Sequence, residues 1–154
     1  IGLCQPGELA IECEYRVTRP AFAIIMIGTN DAPAFPADQY RANMQRIMQI
    51  SVDHGVVPIL TTLAPRAEFN DRIVEYNQVI FDLGRTYGVP IVDLYSALVG
   101  LPNRGLDADG IHLSIPPGAP STSVSFSAEY LQYGTTMRNL TTLQALDQVR
   151  SIIG

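Results

Sequence analysis

An imidazole acts as a general base only when one ring nitrogen is held and the other is free. Asp109-Gly110-Ile111-His112 has the spacing for that arrangement. A carboxylate three residues ahead of a histidine can fold back within one turn and accept from Nδ1–H. That contact fixes the tautomer and leaves Nε2 free for a reactant. Asp107 competes for the same role, at a five-residue offset that suits a single turn less well. Taken alone, the tetrapeptide also reads as a surface loop carrying a solvated histidine.

The second cluster, Gly28-Thr29-Asn30-Asp31, directly follows the apolar run from Ala21 to Ile27. Ligands of open α/β sheets bind beyond the carboxyl ends of the strands. Asn30 would offer an amide donor at such a mouth, where a donor stabilises a developing oxyanion. Gly28 lets the backbone turn sharply or approach a ligand closely. Asn, Asp and Gly are also the common residues of an ordinary turn.

Both clusters need a scaffold, and the apolar pattern supplies one. The continuous run Ala21–Ile27 reads as a strand covered on both faces, as in a parallel sheet. Ala37 to Asp53 reads as a helix with Tyr40, Met44, Ile47 and Met48 on one face, the methionines serving as core filler. Gly55 is placed as its C-cap. Val56–Leu63 is a second buried strand, Glu68–Tyr87 a second helix stopped by Gly88, and Val89–Leu94 a third strand. Residues 1–20 read as a lead-in loop, and residues 100–125, rich in Gly, Pro and Ser, as a long loop lining a site. Thr135–Ile153 closes the chain as a helix with Leu140, Leu143, Leu146, Val149 and Ile153 inward, and Tyr130 and Tyr133 packed under it. The alternation of strand and helix is an α/β layered pattern with right-handed crossovers. Three strands fall short of the usual five or six, so at least one further strand is expected from elsewhere. Residues 1–154 are taken as one domain, incomplete at its N-terminus.

Composition narrows the partners. The chain has 154 residues, 47 % hydrophobic and 16 % charged, enough for a buried core. Its net charge of −5 argues against nucleic acid and anionic membrane surfaces. No apolar run has the length of a bilayer span. Cys4 and Cys13 lack a CxxC spacing or an adjacent histidine, so a metal site is not expected. They read as a disulfide closing a short loop, which implies an oxidising compartment, with two buried free thiols as the alternative. His54, at a helix end, complements the helix dipole. Arg16 and Arg19 read as solvated charges or partners of Glu12 and Glu14. Asn139-Leu140-Thr141 is a glycosylation sequon that falls on a helix.

Together the two clusters resemble blocks of the SGNH hydrolases, also called GDSL esterases and lipases. Gly28-x-Asn30-Asp31 after a hydrophobic strand is similar to the family's third block, and Asp109-x-x-His112 to its fifth. The resemblance covers the chain from about Ala21 onward. It implies a flavodoxin-like α/β/α sandwich with a mostly parallel sheet, and ester hydrolysis through an acyl-serine without metal or organic cofactor. It also implies an extracellular or cell-envelope location, as in many bacterial members. By the same resemblance Asn30 is an oxyanion-hole donor, Gly28 shapes that block, His112 is the base and Asp109 orients it. The expected substrate is an ester, and the loop composition does not separate an acyl lipid from an acylated carbohydrate.

One block departs from the family. Its nucleophile sits in a Gly-Asp-Ser turn ahead of the Gly-x-Asn-Asp block, and this sequence contains no Gly-Asp-Ser. Ser51, the first serine, lies within a helix and after Asn30. Ser114 cannot reproduce the strand-to-helix turn that presents a nucleophile, and Ser96, better placed after the third strand, lacks the motif context. Gly2 or Gly7 could mimic the family's second-block glycine, with nothing further in support. The expectation is therefore a portion of a secreted serine esterase whose serine comes from an upstream segment or another chain at the sheet edge. The rival from another class is a catalytically inactive extracellular binding or structural module on the same scaffold. A nucleotide-binding flavodoxin-like domain is a weaker third reading, since no phosphate-binding glycine loop is present.

Overall fold

The structure, a computed structural model, describes residues 3–153, without the side chain of Ile153, so the expectations for Gly2 and for an inward Ile153 fall outside the described residues. Three parallel strands, β1 (Phe22–Ile25), β2 (Val57–Thr61) and β3 (Ile91–Val92), form a sheet in the order β1-β2-β3. Ile24 lies opposite Ile59 and Leu60 opposite Ile91. The intervening helices are α2 (Ala37–Asp53) and α3 (Asn70–Tyr87), close to the spans that the apolar spacing predicts. Helix α2 sends Tyr40, Met44 and Met48 inward, and α3 contributes Ile73, Tyr76, Ile80 and Leu83 to the same cluster as Ile25 and Leu60. On the opposite sheet face Ile59 and Val92 meet Val149 of the last helix, α5 (Gly134–Ile153). The result is the α/β layered arrangement expected from sequence.

Five expectations need correction. Residues 1–20 do not form a lead-in loop throughout, because Ala10–Thr18 is a helix, α1. Glu12 accepts from the Leu9 N–H at its start, and Tyr15 packs with Ile50 and Val56. Helical spacing is hard to see in nine residues that also carry a disulfide cysteine. Cys4 and Cys13 are joined, tying the preceding turn to α1. Arg16 pairs with Glu8 at 2.7 Å, not with Glu12 or Glu14, because the disulfide-bridged turn folds Glu8 back onto the helix.

In α5, Leu143 and Leu146 are exposed, contrary to expectation. The helix docks instead through Met137, Ala145 and Val149, positions on one row four or eight residues apart. The leucines at 140, 143 and 146 follow a three-residue spacing that drifts off that row. Strand β1 is also not covered on both faces. Helix α5 lies over β2 and β3, which leaves Ile24 44 % and Ile27 47 % exposed. An apolar groove of about 630 Å³ runs along the free edge of β1, beside α1 and α2. A short helix that the sequence pattern did not separate from the third strand, α4 (Leu94–Val99), begins where Asp93 accepts from the Ser96 N–H.

The end of β2 is anchored from α3. Buried Asn77 accepts from the Leu63 N–H at 2.7 Å and donates to the Leu63 carbonyl at 3.1 Å. This substitutes for sheet pairing where the strand stops and fixes the exit of the chain toward residue 64. Asn77→Ala strands both backbone groups in a dry site, so urea unfolding should show a stability loss of about 3 kcal/mol. A loss below about 1 kcal/mol would mean that water replaces the side chain.

Candidate active site

The Asp109–His112 turn is built by its own backbone. Asp109 Oδ1 accepts from the N–H groups of Ile111 and His112, both at 2.9 Å. Its other oxygen meets His112 Nδ1 at 2.6 Å. The ring is therefore held at Nδ1, with Nε2 as the free nitrogen. Asp107 does not reach the ring. Its carboxylate accepts from the Ala108 N–H, while its own N–H donates to the His112 carbonyl and closes the base of the turn. Leu106 and Leu113 pair as an antiparallel bridge at the neck.

Gly110 is required by close approach. Its φ is +69°, and a Cβ there would stand 2.4 Å from the Ala67 Cβ. The contact brings the Gly110 carbonyl onto the Ala67 N–H at 2.8 Å. Gly28 answers a similar constraint in the other cluster, at φ +123° with the Tyr40 ring 2.6 Å from where its Cβ would be. Tyr40 donates to the Ile27 carbonyl and stacks on Tyr76 with ring centroids 3.8 Å apart, so α2 fixes the turn that follows β1.

Asn30 and His112 line one cleft of about 350 Å³, with Thr29, Met26, Leu113 and Arg138 among its other walls. Gly28 does not line it and acts only on the shape of the turn. The sequence reading missed what joins the two clusters. The segment between β2 and α3 donates to both: Arg66, 8 % exposed, reaches the Thr29 carbonyl at 3.0 Å, and its neighbour Ala67 holds Gly110. The Arg66 Nε is buried without a partner among the described residues, and the guanidinium lies over the Phe69 ring. A lone arginine after a strand carries no motif, so nothing in the sequence marks it.

The serines sit elsewhere or are engaged. Ser51 is fully buried, bonded to the Ile47 carbonyl and to Tyr15. Ser114 bridges the Gly105 carbonyl and the Gly134 N–H, joining the long loop to α5. Ser96 is not in the cleft wall. His54 binds the Ile50 carbonyl at the end of α2, and the Asn139 amide donates to the Ser123 carbonyl. The long loop is partly ordered into 3₁₀ turns at Pro102–Gly105 and Ser121–Val124.

A family model described as GDSL-like lipase/acylhydrolase matches residues 10–115. The chain belongs to the GDSL-like lipase/acylhydrolase family. This match spans both clusters of the GDSL-like chain and the arginine segment between them. Among solved structures, a GDSL-like lipase from Bacteroides thetaiotaomicron aligns at TM-score 0.66 and 21 % identity, over 85 % of this chain and 64 % of that one. A lipase/acylhydrolase from Enterococcus faecalis aligns at TM-score 0.61 and 23 % identity, over 87 % of this chain and 64 % of that one. The GDSL-like chain thus spans less than two thirds of either neighbour. No curated protein matches it.

The bond from His112, with the two N–H groups behind it, holds the Asp109 carboxyl down at about 2 from an ordinary 3.8. A depressed carboxylate favours the folded turn above its unfolded value, and that preference is lost as pH falls from about 4 through about 2. Carboxyl NMR titration should find this midpoint near 2. His112→Ala should raise it without restoring the ordinary value, since the Ile111 and His112 backbone bonds remain. An unchanged midpoint would remove the ring from the account.

Proposed function

We propose that this chain is the portion of an ester hydrolase that supplies the base, its orienting carboxylate and an oxyanion donor, with the nucleophilic serine contributed by a segment outside this sequence. The observation that carries the reading is the shared cleft of Asn30 and His112, with Nδ1 held by Asp109. In this reading the serine hydroxyl gives its proton to His112 Nε2 and attacks the ester carbonyl. The Asn30 amide donates to the oxyanion, and His112 then protonates the departing alcohol. Water repeats the sequence on the acyl-serine and frees the acid. Chemistry of this type needs no metal.

Three observations support a serine from outside. The sequence lacks Gly-Asp-Ser, the chain covers 64 % of two of its structural neighbours, and the apolar free edge of β1 fits a further strand. A sheet edge presents unpaired N–H and C=O groups ready for such pairing. The Cys4–Cys13 disulfide supports an extracellular or cell-envelope site, and no helix among the described residues is long and apolar enough to cross a membrane. The missing Gly-Asp-Ser also favours the rival reading, an inactive module on the same scaffold.

The two readings separate in the complete gene product. For the hydrolase, a Gly-Asp-Ser lies ahead of residue 1, and hydrolysis of an aryl ester falls on the order of 10³-fold or more in His112→Ala. Asn30→Ala lowers kcat by about 10²-fold, with a smaller change in KM. Residues 1–154 alone turn over no ester. Turnover by that isolated chain, abolished by His112→Ala, would refute the external serine. A complete protein with no such motif and no turnover would be the module.

A further inference from the structure

We infer that the cleft selects short aliphatic esters carrying a carboxylate at the end remote from the scissile bond, and that Arg138 of α5 is the residue that receives it. The inference rests on the hydrolase reading and adds the class of substrate. The chain as a whole is acidic, with 15 Asp and Glu against 10 Lys and Arg. The cleft reverses that balance. Its walls among the described residues contain no carboxylate, and they contain one guanidinium, that of Arg138. Asp109, behind His112, is already engaged by the ring and two N–H groups.

Arg138 makes no ion pair among the described residues. It donates to Asn139 Oδ1 at 3.2 Å, and the Asn139 amide is in turn fixed on the Ser123 carbonyl. A neutral buttress orients the guanidinium without neutralising it, and leaves most of its donor fork unused. The amino end of the 20-residue α5 adds positive potential on the same side, where Thr135 also lines the cleft. Arg66, which makes no ion pair among the described residues, stands behind the Thr29 wall and donates to the Thr29 carbonyl. A concave site of one sign on a protein of the other concentrates the oppositely charged solute.

The remaining lining limits what that solute is. Met26, Ile111, Leu113 and Ile115 make the rest of the wall largely aliphatic, in a volume of about 350 Å³. In this inference a short methylene chain runs along that aliphatic wall from the Asn30–His112 pair, with its far carboxylate on the Arg138 guanidinium fork. A charged pair of this kind is both oriented and directional, since arginine meets a carboxylate through two parallel N–H bonds.

The complete protein is assayed with two esters of equal acyl length, mono-4-nitrophenyl glutarate and 4-nitrophenyl pentanoate. The ratio of kcat/KM for the anionic over the neutral ester should exceed 1, and Arg138→Gln should lower it about 10-fold. Arg138→Lys should recover part of the loss, and Arg150→Gln, on the exposed end of α5, should leave the ratio as it is. A ratio unchanged in Arg138→Gln, or a wild-type preference for the neutral ester, overturns the inference. Inactivity on both esters would count against the hydrolase reading, and binding then decides the substrate class separately. Glutarate should shift the His112 ring resonances, with His54 as internal reference, while pentanamide should not. Equal shifts from the two probes, or none from glutarate, overturn the inference even where Arg138→Gln does not fold.

Discussion

Two donors on adjacent residues hold the chemical groups of this protein at one rim. Arg66 binds the turn that carries Asn30, and the Ala67 N–H binds the turn that carries Asp109 and His112. Both sit just beyond the end of β2, the central strand, whose exit is clamped by Asn77. Each turn is closed by its own local bonds, and these two donors set where it lies relative to the other. The loops of an α/β protein are placed by the scaffold beneath them, and here the placement passes through one short segment.

That segment also sets the electrostatic character of the cleft. Burying a guanidinium is costly unless its hydrogen bonds are met. Arg66 meets this only in part, through a carbonyl and an aromatic face, with its Nε left without a partner and no carboxylate beside it among the described residues. Its charge stays uncompensated near Thr29. The same economy of carboxylates is seen at Arg138, where an asparagine takes the place an acid would hold. Asp109 is the exception, and three hydrogen bonds tie its charge to His112 and its own turn.

Coverage of the sheet is uneven. Helices α2 and α3 seal one face from β1 to β3, with Tyr40, Met48, Ile73 and Leu83 nearly or fully buried. On the other face α5 packs over β2 and β3 with Phe22 of β1 at the margin, and the free edge of β1 keeps an apolar flank beside α1. The Cys4–Cys13 bridge and the Tyr15 cluster brace α1 at that flank.

Strands and helices 21 to 94 were legible because their apolar periods are long and uninterrupted, and because Gly55 and Gly88 end the helices at positive φ. The Asp109–His112 contact was legible for a related reason, since three residues within one turn interact whatever surrounds them. Helix α1 was hidden by its shortness, and the inward row of α5 by leucines that mimic a stripe. Spacing along the chain speaks only for neighbours in the chain. Asn30 and His112 are separated by 82 residues, and Arg66 stands between them with no pattern of its own. What brought them to one cleft, with Arg138 in its wall, was the parallel order of the strands and the packing of α5. Those depend on burial summed over the whole core, and no local stretch of sequence encodes that sum.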